Sequence, residues 1–433
     1  MSRLLYSALL YLVLPFTAVK LLWRGIRQPD YLKHWAERYG YYNQSLAKPL
    51  IWLHCVSVGE TRAARPLIDA LLNQYPRHQI LLTHATPTGR DAGELIFPSE
   101  QYPRISRCYL PYDVPGAVNR FLVHFKPALG LLMETELWFN LIASCQAKKI
   151  PLLLVNARLS ERSAQAYSKI SKLTTQGLQS LTAIAAQAEE DAMRLSTLLG
   201  SSNNLSVMGN LKFDVNAPEG EGEAERGVYL RSLLGIQRPV FLAASTREGE
   251  EALILKAIAE SPIPNLLTVI VPRHPQRFDE VATLLDQHNI PFCRRSEFSM
   301  GNVAADIPNC RVILGDSMGE MFTYYAACDV AFIGGSLLPL GGQNLIEACI
   351  MGKPVLIGPY TFNFNEATEH AIEAGAAERV QNPQELSERL NALMSDSDLR
   401  KRMGTAGLAF SKSAGGATQK LMNLIAKHLP IKV

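Results

Sequence analysis

Ten short apolar runs recur along this chain, separated by polar loops and amphipathic helical segments. Five of them lie at 50–54, 80–83, 128–133, 151–155 and 183–186. The other five lie at 239–244, 266–271, 312–314, 330–333 and 354–357. Strands that are apolar throughout, and that alternate with helices, are typical of parallel sheets covered by helices on both faces. The sequence therefore predicts an α/β protein with doubly wound sheets.

A change in composition separates the two series of strands. Residues 217–227 contain Pro218, three Gly and four Glu, and a chain of 433 residues is long enough for two domains. We predict a membrane anchor at 1–28, an N-terminal Rossmann-like domain at 29–216, a linker at 217–236 and a C-terminal Rossmann-like domain at 237–433. The last helix, at about 419–429, is expected to pack back toward the first domain. Ligands of such sheets bind at the carboxyl ends of the strands, so we expect a cleft between the domains.

The N-terminal segment is apolar enough to associate with a membrane. Residues 4–19 are almost wholly apolar, and five basic residues follow, at Lys20, Arg24, Arg27, Lys33 and Arg38. A helix needs about 20 apolar residues to span a bilayer, so the run is marginal. A short single span and an interfacial anchor both fit, and a buried helix of the first domain is the third alternative. The basic flank favours a cytoplasmic location for the rest of the chain.

Composition and charge exclude several classes of protein. The net charge of +3 is too small to indicate a nucleic-acid partner. The seven Cys residues are scattered, without C-x-x-C spacing. We therefore expect reduced, mostly buried thiols, with no zinc site and no disulfide framework.

Two clusters of polar residues in the first half follow predicted strands. Glu60 closes the small-residue loop SVGE at 57–60 and stands near a helix N-terminus, where the helix dipole favours its carboxylate form. Such a carboxylate could take a proton from an acceptor hydroxyl, although a first-turn Glu that merely caps its helix fits equally. Glu134 and Glu136 are expected to share one face of a strand end, with Arg158 offsetting one of their charges. A structural ion pair is the alternative there.

The second half carries a basic strand end and three glycine-rich turns. Arg273 follows a buried strand, between Pro272 and His274, and can clamp a phosphate through two hydrogen bonds. Backbone amides of glycine-rich turns at helix N-termini bind anions, whereas tight packing of strand against helix is the alternative. The candidate residues of these turns and of the helix that follows them are Gly315, Met318, Gly319, Glu320, Gly334, Gly335, Ser336, Gln343, Asn344 and Glu347.

Ordered motifs along nearly the whole chain resemble one family. They are WAERYG at 35–40, SVGE at 57–60, TPTG at 86–89, YLPYD at 109–113, METELW at 133–138, NARLS at 156–160, GNLKFD at 209–214, VPRHP at 271–275, GDSMGE at 315–320 and GGS at 334–336. The chain thus resembles the bacterial 3-deoxy-D-manno-octulosonic acid (Kdo) transferases of lipid A assembly. The resemblance implies the GT-B fold, with two Rossmann-like domains, an interdomain cleft and an N-terminal membrane-anchoring helix.

The resemblance also implies substrates and roles. CMP-Kdo would be the donor and lipid IVA the acceptor, at the cytoplasmic face of the inner membrane, whose lipids would be further partners. Glu60 would be the general base of an inverting transfer that needs no metal ion and no cofactor. Residues on the acceptor side would be Ser57, Gly59, Arg62, Glu134 and Glu136. The donor-binding positions would be those of the basic strand end and the glycine-rich turns.

Two residues depart from the family pattern, and two other functions compete. Phe139 stands where Pro is usual, and Gln343 stands where His is common. Another GT-B enzyme with a different nucleotide sugar is one alternative, although a soluble epimerase would not need the anchor. A non-catalytic, membrane-associated nucleotide-sugar-binding protein is the other, and the retained Glu60 and Arg273 argue against it.

Overall fold

A computed structural model describes residues 1–46, 49–200, 204–214, 221–259, 261–298 and 307–429, without the side chains of 221–224. The described chain forms two compact units, Met1–Asp214 with Gly415–Val433, and Val215–Ala414. Each unit contains one parallel sheet of seven strands.

The sheet of the first unit has its first strand near the centre. The order is β3-β2-β1-β4-β5-β6-β7, and every neighbouring pair is parallel. The strands are β1 Leu50–His54, β2 Gln79–His84, β3 Ile105–Tyr109, β4 Leu129–Met133, β5 Leu152–Ala157, β6 Ala183–Ala186 and β7 Leu205–Val207. Ile51 and Leu53 of β1 enter one core cluster, and Leu50 and Trp52 enter another. Because alternate side chains of a strand leave on opposite faces, both faces of this sheet are covered, as the apolar runs predicted.

The sheet of the second unit repeats this topology. Its order is β10-β11-β9-β8-β12-β13-β14, again parallel throughout. The strands are β8 Val240–Thr246, β9 Leu267–Pro272, β10 Phe292–Arg294, β11 Val312–Leu314, β12 Val330–Ile333, β13 Val355–Ile357 and β14 Ala377–Arg379. The ten predicted strands are confirmed, and four more are present.

Eighteen α-helices lie within the described residues. Those before the second sheet are α1 Arg3–Arg27, α2 Val58–Ala63, α3 Arg65–Gln74, α4 Pro87–Ile96, α5 Pro115–Phe125, α6 Phe139–Ala147, α7 Glu161–Ser168, α8 Ser171–Gln179, α9 Glu189–Leu199 and α10 Glu221–Leu234. The others are α11 Glu250–Ala259, α12 Phe278–Gln287, α13 Met321–Ala327, α14 Ile346–Ile350, α15 Asn365–Glu373, α16 Pro383–Ser395, α17 Ser397–Ala414 and α18 Ala417–His428.

The predicted boundaries need two corrections. The predicted linker at 217–236 is wrong for 221–234, which form α10, a helix of the second unit. Residues 217–220 lie outside the described part of the chain. The second unit ends at Ala414, and α18 belongs to the first unit. The carboxylate of Asp214 accepts hydrogen bonds from the amides of Gly416 (2.6 Å) and Thr418, which holds the start of α18 in the first unit.

The cysteine prediction is only partly correct. Cys293 and Cys310 form a disulfide, so the expectation that every cysteine is reduced is wrong. The remaining five cysteines are buried free thiols. Spacing along the chain did not predict the pair, because the parallel pairing of β10 with β11 is what brings the two segments together.

The N-terminal helix α1 is long and apolar enough to cross a membrane, judged by length and composition alone. Most of its surface is exposed, including large apolar side chains such as Leu4, Leu12 and Phe16. The alternative of a buried core helix is therefore wrong.

Candidate active site

The loop between β1 and α2 holds Glu60 in a fixed position. Ser57 is the N-cap of α2, and its Oγ accepts a hydrogen bond from the Glu60 amide at 3.2 Å. The Glu60 side chain turns back, and its Oε2 accepts from the amide of Val56 at 2.8 Å. The residue as a whole is 7% exposed. Glu60 thus takes part in the capping of its helix, as the alternative interpretation held, but its carboxyl group is also almost withdrawn from water.

Burial sets the protonation state of this carboxyl group. It raises the pKa of Glu60 to about 7; the Val56 amide and the Ser57 hydroxyl lower that pKa, and the charges of Glu134 and Glu136 raise it. The helix dipole was expected to favour the carboxylate form of Glu60. Loss of hydration has the larger effect and favours the protonated form. A carboxyl group with a pKa near neutrality can both accept and release a proton.

Glu134 lies beside Glu60 because of the order of the strands. The connections from β1 and β4 leave in opposite directions along the sheet, and these adjacent strands mark its switch point. Glu60 follows β1 and Glu134 follows β4, so both stand at the edge where doubly wound sheets bind ligands. Gly59 and Arg62 are exposed near Glu60. A Cβ added to Gly59 would lie 3.7 Å from Ser57 Oγ, so packing does not require a glycine there.

The expected geometry of Glu134 and Glu136 is wrong in one respect. Strand β4 ends at Met133, and Glu134 has a φ of +56°, so the two carboxylates lie in a turn rather than on one strand face. Glu136 accepts a hydrogen bond from Trp138 Nε1 at 2.5 Å, and burial raises the pKa of its carboxyl group. A left-handed residue that is not glycine is strained, and such residues cluster at functional sites.

Arg158 does not offset these carboxylates. Its side chain is exposed, and its backbone carbonyl accepts a hydrogen bond from the hydroxyl of Thr135. Burial raises the pKa of Asp191, and the charge of Arg158 opposes that rise. The expected pairing of Arg158 with Glu134 or Glu136 is therefore absent from the described residues.

In the second unit, Arg273 follows β9, whose last residue is the buried Pro272. Its Nε donates to Gln343 Oε1 at 3.1 Å. Burial lowers the pKa of Arg273 and the charge of Glu347 raises it, so the two groups are close. Neither Nη1 nor Nη2 has a hydrogen-bond partner among the described residues. Asn344 Nδ2 donates to Glu347 Oε1 at 3.2 Å, which fixes that carboxylate. His274, the residue after Arg273, is exposed.

The turn between β11 and α13 leaves backbone amides available. Gly315 is needed for packing, because an added Cβ would lie 2.7 Å from a methyl group of Val271. Gly319 has a φ of +80°, and Met318 is 58% exposed. The amides of Met318 and Gly319 have no acceptor among the described residues. Glu320 is held by Arg295 Nη2 at 2.9 Å and by the Ser317 hydroxyl, so its carboxylate is already paired.

The turn that follows β12 does not serve as predicted. The carboxylate of Glu250, which is fully buried, accepts hydrogen bonds from the amides of Gly335 (2.5 Å) and Ser336 (2.9 Å). It also accepts those of Leu337 and Arg247. The Gly334 amide donates to the carbonyl of Ala244. These amides are therefore paired within the protein and do not form the anion site that was expected of them, while the assignment of Gly334, Gly335 and Ser336 to the donor site stays a prediction.

Comparisons with known proteins agree with this arrangement. Residues 33–215 match the family model of 3-Deoxy-D-manno-octulosonic-acid transferase (kdotransferase), and residues 305–409 match that of Glycosyl transferases group 1. The 3-deoxy-D-manno-octulosonic acid transferase of Bordetella pertussis is 42% identical over 89% of this chain and 88% of its own. That of Haemophilus influenzae is 37% identical over 99% of both chains.

The chain belongs to the Kdo transferase family. It is therefore a glycosyltransferase that transfers Kdo. Among solved structures, Anabaena Alr3699/HepE in complex with UDP has a TM-score of 0.56 at 17% identity, over 88% of this chain and all of its own. This likeness concerns the fold, and with the two parallel sheets it identifies the GT-B architecture.

Each of the two residues that depart from the Kdo transferase pattern contacts a neighbouring side chain. Phe139 begins α6, and its ring meets that of Tyr6 of α1 edge to face, with centroids 5.4 Å apart. Gln343 accepts the hydrogen bond from Arg273, so a neutral amide orients the guanidinium without cancelling its charge.

Sequence reasoning missed Arg247 in this Kdo transferase. Ser245, with a φ of +56°, interrupts the pairing of β8 with β9. Arg247 is the first residue after β8. Strands β8 and β12 mark the switch point of the second sheet. Arg247 is half-buried over Gly335, and its charge helps to lower the pKa of His274, after burial. Its guanidinium has no acceptor or ion-pair partner among the described residues. A lone Arg beside a strand end carries no motif, so only the strand order reveals it.

Proposed function

We propose that this chain transfers Kdo from CMP-Kdo to lipid IVA by a single inverting displacement. The observation that carries the proposal is the buried Glu60 carboxyl group at the switch point of the first sheet, with a pKa of about 7. Membership of the Kdo transferase family supplies the sugar. The family resemblance supplies the acceptor and the activated donor.

Glu60 acts as general base in this proposal. The acceptor hydroxyl attacks the anomeric carbon of Kdo, and its proton passes to the Glu60 carboxylate. The new bond joins the acceptor oxygen to the anomeric carbon, and the bond from that carbon to the phosphate oxygen breaks, so CMP leaves. Ser57 and the Val56 amide hold Glu60 in place. The exposed Gly59 and Arg62 contact the acceptor together with Glu134 and Glu136.

The donor meets the second unit through its phosphate. CMP carries one phosphate, which Arg273 can hold through its two terminal nitrogens, with help from the amides of Met318 and Gly319. Fixed donors of this kind also stabilise the charge that develops on the leaving CMP. A single phosphate held this way needs no metal ion, either in the donor or in the released CMP. Asn344 and Glu347 accept or donate hydrogen bonds at the nucleoside end.

A second cation suits the sugar itself. Kdo is an acid, so the donor carries a carboxylate besides its phosphate. Arg247 stands at the switch point of the second sheet, near His274, and its guanidinium is unpaired within the described part of the chain. We assign the carboxylate to Arg247 because a guanidinium binds a carboxylate through two parallel hydrogen bonds.

The proposed location is the cytoplasmic face of the inner membrane. The apolar helix α1 supports membrane attachment, and the basic residues Lys20, Arg24 and Arg27 at its end suit the anionic lipids of that face. The acceptor is itself a membrane lipid, so attachment brings enzyme and acceptor to one surface.

Mass spectrometry of the product tests this function. The purified full-length chain is incubated with CMP-Kdo and lipid IVA, and both CMP release and the mass of the lipid are followed. The expected result is lipid IVA heavier by whole Kdo residues, and the mass also counts them. An unchanged lipid, or transfer only from another nucleotide sugar, would contradict the proposal.

A further inference from the structure

One face of α1 is docked on the first unit along most of the helix. The residues of this face are buried or half-buried and recur every three or four positions, at Tyr6, Ser7, Leu10, Leu14, Thr17, Ala18, Leu21 and Gly25. This is the spacing of a single helical stripe.

Hydroxyl groups fasten this docked face. Tyr6 Oη donates to Asp113 Oδ2 at 2.9 Å, and Ser7 Oγ donates to Asn140 Oδ1 at 2.9 Å. Farther along, Tyr11 Oη accepts from the Gly116 amide at 3.1 Å, and Thr17 Oγ1 lies 3.1 Å from Tyr39 Oη.

The packing continues to the last turn of α1. Leu21 is 4% exposed, and an added Cβ on Gly25 would lie 2.5 Å from Leu32 of the segment that follows the helix. The hydroxyl groups of Tyr6, Ser7 and Thr17 thus face the protein, whereas the charged residues of α1 are exposed.

The remaining surface of α1 is apolar and has no partner within the described residues. Its exposed large side chains are Leu4, Leu5, Leu9, Leu12, Val13, Phe16, Val19, Leu22, Trp23 and Ile26, together with Tyr11, whose hydroxyl group reaches back to Gly116. No charged residue interrupts positions 4–19, and the basic Lys20, Arg24 and Arg27 follow. The Arg27 guanidinium lies 4.9 Å from the ring centroid of Trp23. Trp beside basic residues at the end of an apolar surface is typical of the membrane–water boundary.

A docked α1 does not fit a membrane span. The contacts run from Tyr6 to Gly25, about 28 Å along a helix axis, which is close to the full hydrocarbon thickness of about 30 Å. If α1 crossed the bilayer in this state, the docked surface would enter the hydrocarbon with it. That surface includes Asp113, whose carboxylate accepts the hydrogen bond from Tyr6. Charged groups are strongly disfavoured there.

We infer that α1 lies flat in the membrane surface, with its apolar face in the lipid and its hydroxyl-bearing face against the first unit. The partner is an anionic lipid bilayer. The inference rests on the membrane attachment proposed above and adds that the helix does not span. It also makes the side of the first unit that carries Asp113 and Asn140 the side nearest the lipid.

Depth measurements distinguish a flat helix from a spanning one. Leu5, Leu12 and Val19 are exposed and lie seven residues apart, so they point in nearly the same direction from the helix. Each is replaced singly, as Leu5→Cys, Leu12→Cys and Val19→Cys, in the full chain. A nitroxide is attached and its depth in anionic phospholipid vesicles is measured by power saturation. The unsubstituted chain, whose free thiols are buried, provides the labelling background.

A flat helix predicts similar depths for the three labels, whereas a span predicts steps of about 10 Å between successive labels. Such steps would overturn the inference and leave the proposed membrane attachment intact. Labels that remain in water would contradict both. Labels shielded from water without vesicles would show that a second copy of the chain covers the face, and would also overturn the inference. Retained transfer activity of each labelled variant confirms its fold.

Discussion

Arg273 Nε donates a hydrogen bond to Gln343 Oε1 at 3.1 Å, and this bond links the loop that follows β9 to the loop that follows β12. The amide orients the guanidinium and leaves its positive charge and its two outer nitrogens available. The side chain of Gln343 cannot ionise. Variants of these two residues can therefore separate what the charge of Arg273 contributes to CMP binding from what its orientation contributes.

Removing the charge of Arg273 is expected to weaken CMP binding more than removing the hydrogen bond to Gln343 that orients it. Arg273→Ala should raise the Kd for CMP by about 10- to 100-fold, since hydrogen bonds to charged groups contribute about 1.5–3 kcal/mol. Gln343→Leu keeps the charge and should raise the Kd only a few-fold. Gln343→Glu would pair with the guanidinium and should approach the effect of Arg273→Ala. Calorimetric titration measures all three, and equal effects of the Leu and Glu variants would contradict the assignment.

Arg247 is expected to recognise the sugar rather than the nucleotide. Arg247→Gln should raise the KM for CMP-Kdo by about 10-fold, because a charged hydrogen-bonded pair is lost. The Kd for CMP, which has no sugar carboxylate, should change much less. Arg311→Gln removes an exposed arginine just before β11 and is the matched control. An equal loss of CMP affinity in the Arg247 variant would reassign this residue to the phosphate.

The transfer rate is expected to rise with pH through the pKa of Glu60. Only the carboxylate can take the acceptor proton, so kcat should increase to a plateau above pH of about 7. Glu60→Gln should abolish transfer while CMP still binds. Glu136→Gln, which alters a neighbouring carboxyl group, should leave some activity. A Glu60→Gln enzyme that turns over normally would remove Glu60 as the base.

The same carboxyl group is expected to lower stability at high pH. Its pKa is raised from 4.5 to about 7 by folding, so the folded state binds the proton more tightly than the unfolded state. The free energy of unfolding therefore falls as pH rises from about 4.5 to 7, and the loss is complete above 7. Glu60→Gln should be more stable than the parent at pH 8, by on the order of 1–3 kcal/mol, with little difference at pH 4. Urea unfolding at both values of pH measures this, and a variant that is less stable at pH 8 would show that the charge is not strained.

Glu250 is expected to be structural. Its carboxylate accepts four backbone amides, from Arg247, Gly335, Ser336 and Leu337. Glu250→Ala leaves those amides without an acceptor in a buried place and should lower the free energy of unfolding by about 3–5 kcal/mol. Glu248→Ala, at an exposed neighbour, should change it by less than about 0.5 kcal/mol. Equal stability of the two variants would show that another group satisfies the turn.

Much of the fold could be predicted because buried parallel strands are apolar throughout. The four strands that were missed, Ile105–Tyr109, Leu205–Val207, Phe292–Arg294 and Ala377–Arg379, are the four edge strands of the two sheets. An edge strand has only one neighbouring strand, and these strands contain polar residues such as the buried Arg107 and the half-buried Glu378, so their apolar runs are broken. The prediction of a linker at 217–236 was wrong for another reason. Gly and Glu in 221–234 suggested a loop, but these residues form a helix.

The sequence by itself determined the two parallel sheets, the family, the apolar first helix and the positions of Glu60 and Arg273, because each depends on local pattern or on motifs in order. Only the tertiary structure decided which groups are satisfied. It gave the amides of Gly335 and Ser336 to Glu250, left Arg247 without a partner among the described residues, and buried Glu60 enough to raise its pKa to about 7. Hydrogen-bond partners and loss of hydration depend on atoms that are distant along the chain, and no local pattern specifies them.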